Sequence, residues 1–121
     1  MVLAAIAALG ATQIHAETWN YQSYSKGLPS APGYVTLEEN NGEATLRMVA
    51  GNLDQCLSRE MKATVERTES IITITTAPVM LGCEEYRFVI KADGTGGTRA
   101  HKTSNGEWVL DKTDRKMTIR N

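Results

Sequence analysis

Residues 34–49 read YVTLEENNGEATLRMV, and this stretch decides the fold class. Apolar and polar residues alternate on both sides of Asn40-Asn41-Gly42. Alternation with a period of two places the apolar side chains on one face of a β-strand. Asn and Gly tolerate the positive φ that a tight hairpin turn requires. The stretch therefore predicts two antiparallel strands, Tyr34–Glu39 and Glu43–Val49, joined by a hairpin turn and sharing one buried face.

The same alternation continues along most of the chain and is interrupted by turn residues about every eight to twelve positions, a spacing typical of all-β proteins. Further strands are predicted at Thr18–Ser25, Met61–Thr68, Ser70–Thr76, Glu84–Ala92, Thr98–Thr103, Glu107–Asp111 and Lys116–Arg120. We predict a small antiparallel up-and-down meander of eight or nine short strands. Closure of the meander into a barrel would remove its unpaired edges.

Two longer predicted connections are also compatible with an alternative fold. Lys26–Gly33 is rich in Gly, Pro and Ser and predicts a loop without a ladder partner. Gly51–Met61 predicts a loop or a single helical turn, because so short a segment with glycine at its start makes a marginal helix. A two-sheet β-sandwich needs long crossing connections of this kind, so the sandwich is the alternative to the barrel.

The first sixteen residues predict an export signal. The apolar run Val2–Ala11 is shorter than the roughly 20 residues that span a bilayer, but it has the length of a signal-peptide core. It is followed by Ile14-His15-Ala16 immediately before Glu17. We therefore expect a signal peptide at residues 1–16, cleavage after Ala16 and a single β domain at 17–121. The expected location is periplasmic or secreted, with no transmembrane segment in the mature chain.

Cys56 and Cys83 are the only two cysteines of the chain. In an exported protein, two cysteines predict a structural disulfide. Their spacing does not fit the Cys-x-x-Cys motif of redox catalysts. In the chain-entropy model, a disulfide across this loop stabilises the fold by about 3.5 kcal/mol.

The charge distribution gives no indication of a nucleic-acid partner. The formal net charge is −1, whereas nucleic-acid-binding domains usually carry a strong basic excess on one face. Residues 17–90 carry six basic and ten acidic side chains, and residues 91–121 carry seven basic and four acidic ones. We interpret the basic excess near the C-terminus as a solvated surface.

No motif in the sequence predicts catalysis. Asp93–Gly97 is glycine-rich and follows a predicted strand, but no helix start follows it, so a hairpin turn is the better interpretation than a phosphate loop. His101 is the only histidine after residue 16 and lacks neighbours at metal-ligand spacing, which predicts an exposed strand histidine. We predict a protein that is not an enzyme and that has no metal and no cofactor.

The residues that we predict to contact a partner lie beside two turns. Glu38, Glu39 and Glu43 surround the predicted hairpin tip and would suit a basic partner. Tyr24 and Tyr34 flank the Gly/Pro-rich loop, where tyrosines are expected to be partly exposed. These five residues are the candidate partner-binding site.

The sequence favours an exported binding domain without catalytic activity. The expected partner is another exported or envelope protein, as for an inhibitor-type module of the bacterial periplasm. The alternative is a lipocalin-like barrel that carries a small apolar ligand. Glu17-Thr18-Trp19 supplies a tryptophan near the first strand but not the glycine of the Gly-x-Trp pattern of lipocalins. Architecture alone does not decide between these functions.

Overall fold

The computed structural model describes residues 14–25, 28–29, 32–49, 55–111 and 117–120, with side chains at all of these positions except 14, 23–25, 29 and 117–120. The described residues form strands, turns and connections and contain no helix. Within them, no helical segment therefore has the length and apolar character needed to cross a membrane.

The described residues contain ten β-strands. They are β1 (Ile14–Ser25), β2 (Leu28–Pro29), β3 (Gly33–Asn40), β4 (Glu43–Val49), β5 (Met61–Arg67), β6 (Ile71–Thr76), β7 (Tyr86–Lys91), β8 (Gly97–Lys102), β9 (Trp108–Leu110) and β10 (Met117–Arg120). Each of the nine predicted strands overlaps one of these elements.

The strands follow one another as an antiparallel meander. The hydrogen-bonded order is β10-β1-β3-β4-β5-β6-β7-β8-β9, and eight of these strands, β1 and β3 to β9, are neighbours in chain order. The all-β meander is thus confirmed. β10 also approaches β8, but no ladder between described residues joins β10 to β8 or β9. The sheet is therefore not closed into the predicted barrel.

The β3–β4 hairpin has the predicted turn and register. Leu37 lies opposite Leu46, and Val35 lies opposite Met48. Directly opposed residues in an antiparallel pair point to the same face, so these side chains share the buried side. Asn41 and Gly42 have φ values of 53° and 84°, which are the positive angles that a two-residue hairpin turn requires. The Asn-Gly pair therefore sets the register that buries this face.

The core lies on one face of the curved sheet, which we call the inner face. The largest fully buried side chains come from five successive strands: Val35, Leu37, Leu46, Met61, Ile74, Thr76, Phe88 and Ile90. Trp19 and Tyr21 of β1 complete the cluster. Burying one large apolar side chain stabilises a fold by about 1.5–3 kcal/mol, so this face supplies the main driving force for folding.

The N-terminal third differs from the prediction in two places. β1 begins at Ile14, four residues before the predicted strand, because residues 14–17 pair with β3. The predicted loop at 26–33 contains β2, whose Leu28 pairs with Ser25 of β1, so its description as a loop without a ladder partner is wrong. Cleavage after Ala16 remains a prediction and would remove the first three residues of β1.

The connections between strands alternate between two ends of the sheet. We call one the hairpin end, which carries the short turns at 41–42, 68–70 and 92–96. We call the other the disulfide end, which carries the connections β1–β3, β4–β5, β6–β7 and β8–β9, of which the first three are longer than any turn at the hairpin end.

Candidate functional site

The predicted disulfide is present and joins two connections at the disulfide end. Cys56 of the β4–β5 connection is bonded to Cys83 of the β6–β7 connection, and their Cα atoms are 5.6 Å apart. Next to Cys56, Leu57 is buried in the core. The described part of the β4–β5 connection is therefore held by a covalent bond and by an apolar side chain.

The β6–β7 connection is anchored in the same way and displays an apolar side chain. Pro78 follows β6 and cannot donate to the ladder. Val79 packs against the core cluster, and Cys83 is tied by the disulfide. Between these two anchors, Leu81 is fully exposed, at 104%. A short segment with both ends fixed loses little conformational freedom on binding.

Exposed large apolar side chains are concentrated at the disulfide end. Of the six among the described residues, four lie in its connections or in the strand residues next to them: Leu28, Tyr34, Val49 and Leu81. Tyr34 and Val49 are directly opposed across β3 and β4 and are 47% and 43% exposed. Exposed apolar side chains grouped at one end of a small domain are a common mark of an interaction site.

Two depressions lie in this part of the molecule, and Tyr34 and Val49 line the first of them. The first lies on the outer face of β3 and β4, has a volume of about 180 Å³ and is lined by Tyr34, Thr36, Glu38, Thr45, Arg47, Val49 and Glu60. Arg47 donates to Glu60 at 3.1 Å there. The second is an open cleft of about 610 Å³ between the β6–β7 and β8–β9 connections. Its lining includes the disulfide-bonded Cys83 and the ion pair between Lys102 and Glu85.

The five predicted partner-binding residues are divided between the two ends. Tyr34 lies at the disulfide end, where its side chain lines the outer depression. Tyr24 also lies there, in β1 opposite Pro29, but its side chain is outside the described part. Glu38, Glu39 and Glu43 lie at the hairpin end. The structure therefore does not bring all five together as one surface.

The three glutamates at the hairpin end have different roles. Glu38 is exposed on the outer face, and Glu43 is exposed at the start of β4. Glu39 lies on the inner face, where its carboxylate accepts a hydrogen bond from Arg67. Arg67 also donates to Glu17 at 2.8 Å. Burial acts to lower the pKa of Arg67, but the hydrogen bonds and charges of Glu17 and Glu39 outweigh it and raise that pKa.

A cluster of possible metal ligands overlaps this ion-pair network. Ligand atoms of His15, Glu17 and Glu39 lie within 4.8 Å of one another. The guanidinium of Arg67, however, is already bonded to both carboxylates. A metal ion would have to displace this cation, so the arrangement is better explained as an internal ion-pair network.

A second polar cluster lies on the inner face of β8 and β9. Arg99 and His101 lie directly opposite Phe88 and Tyr86, which are buried, so both point inward. The Asp111 carboxylate binds both, accepting from Arg99 Nε through Oδ2 and lying 2.6 Å from His101 Nδ1 through Oδ1. The backbone N–H of Asp111 also donates to the carbonyl of Arg99.

The structure therefore differs from the prediction of an exposed His101. The imidazole is 28% exposed, and the side chains of Arg99 and Asp111 are 11% and 13% exposed. Arg99 and Lys102 lie on opposite faces of β8, because Lys102 lies on the outer face over the Trp108 ring. The sequence context of Asp111 does not indicate these partners, because both come from the neighbouring strand.

Comparison with protein-family models, with curated proteins and with solved structures found no match to this chain.

Proposed function

We propose that this protein is a binding domain without catalytic activity, and that it engages another protein through its disulfide end. The observation that carries the proposal is the concentration of exposed large apolar side chains at that end, with Leu81 fully exposed between two anchors. The expectation that the partner is an exported or envelope protein is part of this proposal, because a disulfide is compatible with an oxidising compartment.

The chemistry of this end suits a protein partner better than a small molecule. Tyrosine and arginine are enriched at the centres of protein interfaces, and Tyr34 and Arg47 line the same outer depression. The other cleft is broad and open, and it combines glutamates with Lys102. A protein partner can bury the exposed apolar groups of such a surface and pair with its charges of both signs.

The alternative function, carriage of a small apolar ligand, is less well supported. Such a carrier needs an apolar space of some hundreds of cubic ångströms inside the sheet. Large side chains such as Phe88, Leu37 and Ile74 pack on the inner face with no exposed surface. The two depressions described above lie on the outer face and between connections.

Affinity capture with matched variants tests the proposal. The tagged protein is incubated with envelope extract from its source cells, and the captured proteins are quantified by mass spectrometry. The test variant combines Leu81→Asp with Tyr34→Asp, which places charge on two exposed positions at the disulfide end. The control is Ile71→Asp, because Ile71 is also exposed, at 37%, but lies at the hairpin end.

We expect one protein to be captured by the wild type and by the control but lost with the double variant. When that purified protein is titrated against the three forms, the wild type and the control should bind it saturably and more tightly than the double variant does. Equal capture by all three forms would contradict the proposed surface. Recovery of only a bound lipid from the natively purified protein would favour the carrier.

A further inference from the structure

The cluster of Arg99, His101 and Asp111 is more deeply buried than the Arg67 network and interrupts the apolar inner face of β7 and β8. Inner positions of β7 are Tyr86, Phe88 and Ile90, whereas the opposing positions of β8 include Arg99 and His101. Burial of charged groups is costly unless each is paired and hydrogen-bonded. If every charged group of the cluster is paired and hydrogen-bonded, its role is structural alone. A charged group that lacks a partner indicates a further role.

Each oxygen of the Asp111 carboxylate has one of the two basic side chains as a partner. Its charge balances the permanent charge of Arg99. The guanidinium, in contrast, has donors to spare, because it carries five N–H groups in a rigid fork and Nε is committed to Asp111.

One of these spare donors is buried and has no acceptor. Arg99 Nη1 is the single buried side-chain nitrogen or oxygen among the described residues that lacks a hydrogen-bond partner. The guanidinium carbon lies 5.5 Å from the centroid of the Tyr86 ring, a contact that stabilises the charge but does not satisfy the N–H groups. An unsatisfied buried donor destabilises the fold, and more strongly when it is charged.

We propose that Arg99 binds a carboxylate ligand from outside the chain, with Asp111 orienting the guanidinium and His101 lying beside the approach. A carboxylate is the acceptor that matches the planar donors of arginine best. His101 is the most exposed member of the cluster, so the ligand enters past its ring. His101 Nδ1 is held by Asp111, which fixes the orientation of the imidazole.

The neighbouring residues favour a small acid over a long acyl chain. Phe88 and Ile90 next to the site have no exposed surface, so the described inner face offers little room for an extended tail. Acetate and octanoate share the carboxylate and differ only in the tail, so together they separate a small free acid from a fatty acid.

Nuclear magnetic resonance on the isotopically labelled full chain tests the inference. Sodium acetate and, separately, sodium octanoate are added at constant ionic strength while the side-chain signals of Arg99, His101 and Arg47 are followed. We expect saturable chemical-shift changes at Arg99 and His101 with acetate. The affinity for octanoate should lie within about tenfold of the affinity for acetate. Arg47 is the internal control, since its guanidinium is on the outer face and 62% exposed, and its signals should not saturate.

Two variants separate binding from folding. Arg99→Gln removes the guanidinium group and should abolish the saturable shifts that acetate causes at His101. Arg47→Gln should leave those shifts unchanged. If Arg99→Gln does not fold, His101→Asn keeps the guanidinium, and saturable acetate shifts should persist at Arg99 in that variant.

Non-saturating shifts that are equal at Arg99 and Arg47 would overturn the proposal, because they would report only general ionic effects. A long-lived water bound at Arg99 in the presence of saturating acetate would overturn it as well. A much tighter affinity for octanoate would retain the carboxylate site and identify a fatty acid as its ligand.

Discussion

The two ends of the sheet hold their connections in place by different means. At the hairpin end, the turns are short and held by local hydrogen bonds, such as those that Thr68 Oγ accepts from the backbone N–H groups of Ser70 and Ile71. At the disulfide end, the two longer connections β4–β5 and β6–β7 are fixed by the Cys56–Cys83 bond and by buried Leu57. Longer connections cost more conformational entropy to order. The comparison shows that the end with the greater ordering cost also carries the exposed apolar side chains.

The largest expected effect comes from removing the covalent link at the disulfide end. The double substitution Cys56→Ala with Cys83→Ala should lower the free energy of unfolding by about 3.5 kcal/mol, because the unfolded chain regains the freedom of the closed loop. Urea denaturation followed by tryptophan fluorescence measures this loss. Reduced wild-type protein is the matched control and should unfold at nearly the same urea concentration.

Hydrogen exchange on the same variant sharpens the comparison between the ends. Protection should fall most in the connections at 55–60 and 77–85, whereas the β3–β4 hairpin at the other end should retain its relative protection. Equal loss of protection at both ends would show that the disulfide acts on the whole sheet and not mainly on its own end.

A smaller effect is expected at the hairpin end from Arg67→Gln. This change leaves Glu17 and Glu39 without their shared cation. Because the Arg67 side chain is 38% exposed, solvent screens the pairs, and we expect a loss of at most about 1 kcal/mol that shrinks as salt is added.

The matched control for Arg67→Gln is Arg47→Gln on the outer face. That change breaks a single ion pair with Glu60, whose two side chains are 62% and 50% exposed. It should cost less than Arg67→Gln at low salt, as measured by urea denaturation. An equal or larger cost would show that the network of Arg67 has no special role at the hairpin end.

The smallest effect concerns the pH response of the turn at 92–96. Hydrogen bonds from the hydroxyl and then from the backbone N–H of Thr95 lower the pKa of Asp93. The ionised carboxylate therefore stabilises the fold above the ordinary pKa of an aspartate, and this contribution is lost as the pH falls through the lowered value. Carbon-detected nuclear magnetic resonance titration should show the lowered pKa directly.

Thr95→Val removes the hydroxyl donor but keeps the backbone one. The pKa of Asp93 should then rise part of the way towards its usual value, with little change in stability at neutral pH. An unchanged titration midpoint in this variant would contradict the assigned role of the hydroxyl.

Much of the sheet could be predicted from local sequence patterns. The alternation around Asn41-Gly42 determines both the turn and the buried face, because a shift of one residue would expose Leu37 and Leu46. β4 occupies the predicted range Glu43–Val49 without change. The short strand β2 could not be predicted in this way, because its pairing with β1 is a two-residue ladder that composition does not indicate.

The inner polar cluster could not be predicted from the same patterns. In β8, alternation favours the side of Ala100 as the apolar face, yet the register with β7 places Arg99 and His101 opposite Phe88 and Tyr86. The glycine-rich turn at 93–97 accommodates more than one register, and the register decides which face of β8 is buried. Asp111 then reaches both residues only through the pairing of β9 with β8.

The Cys56–Cys83 bond closes a covalent ring of which β5 and β6 are part. A protease that cuts the exposed turn at 68–70 therefore produces two polypeptides that stay joined. The nicked molecule migrates as one species in a denaturing gel until a reductant is added, and cleavage at this turn releases no peptide.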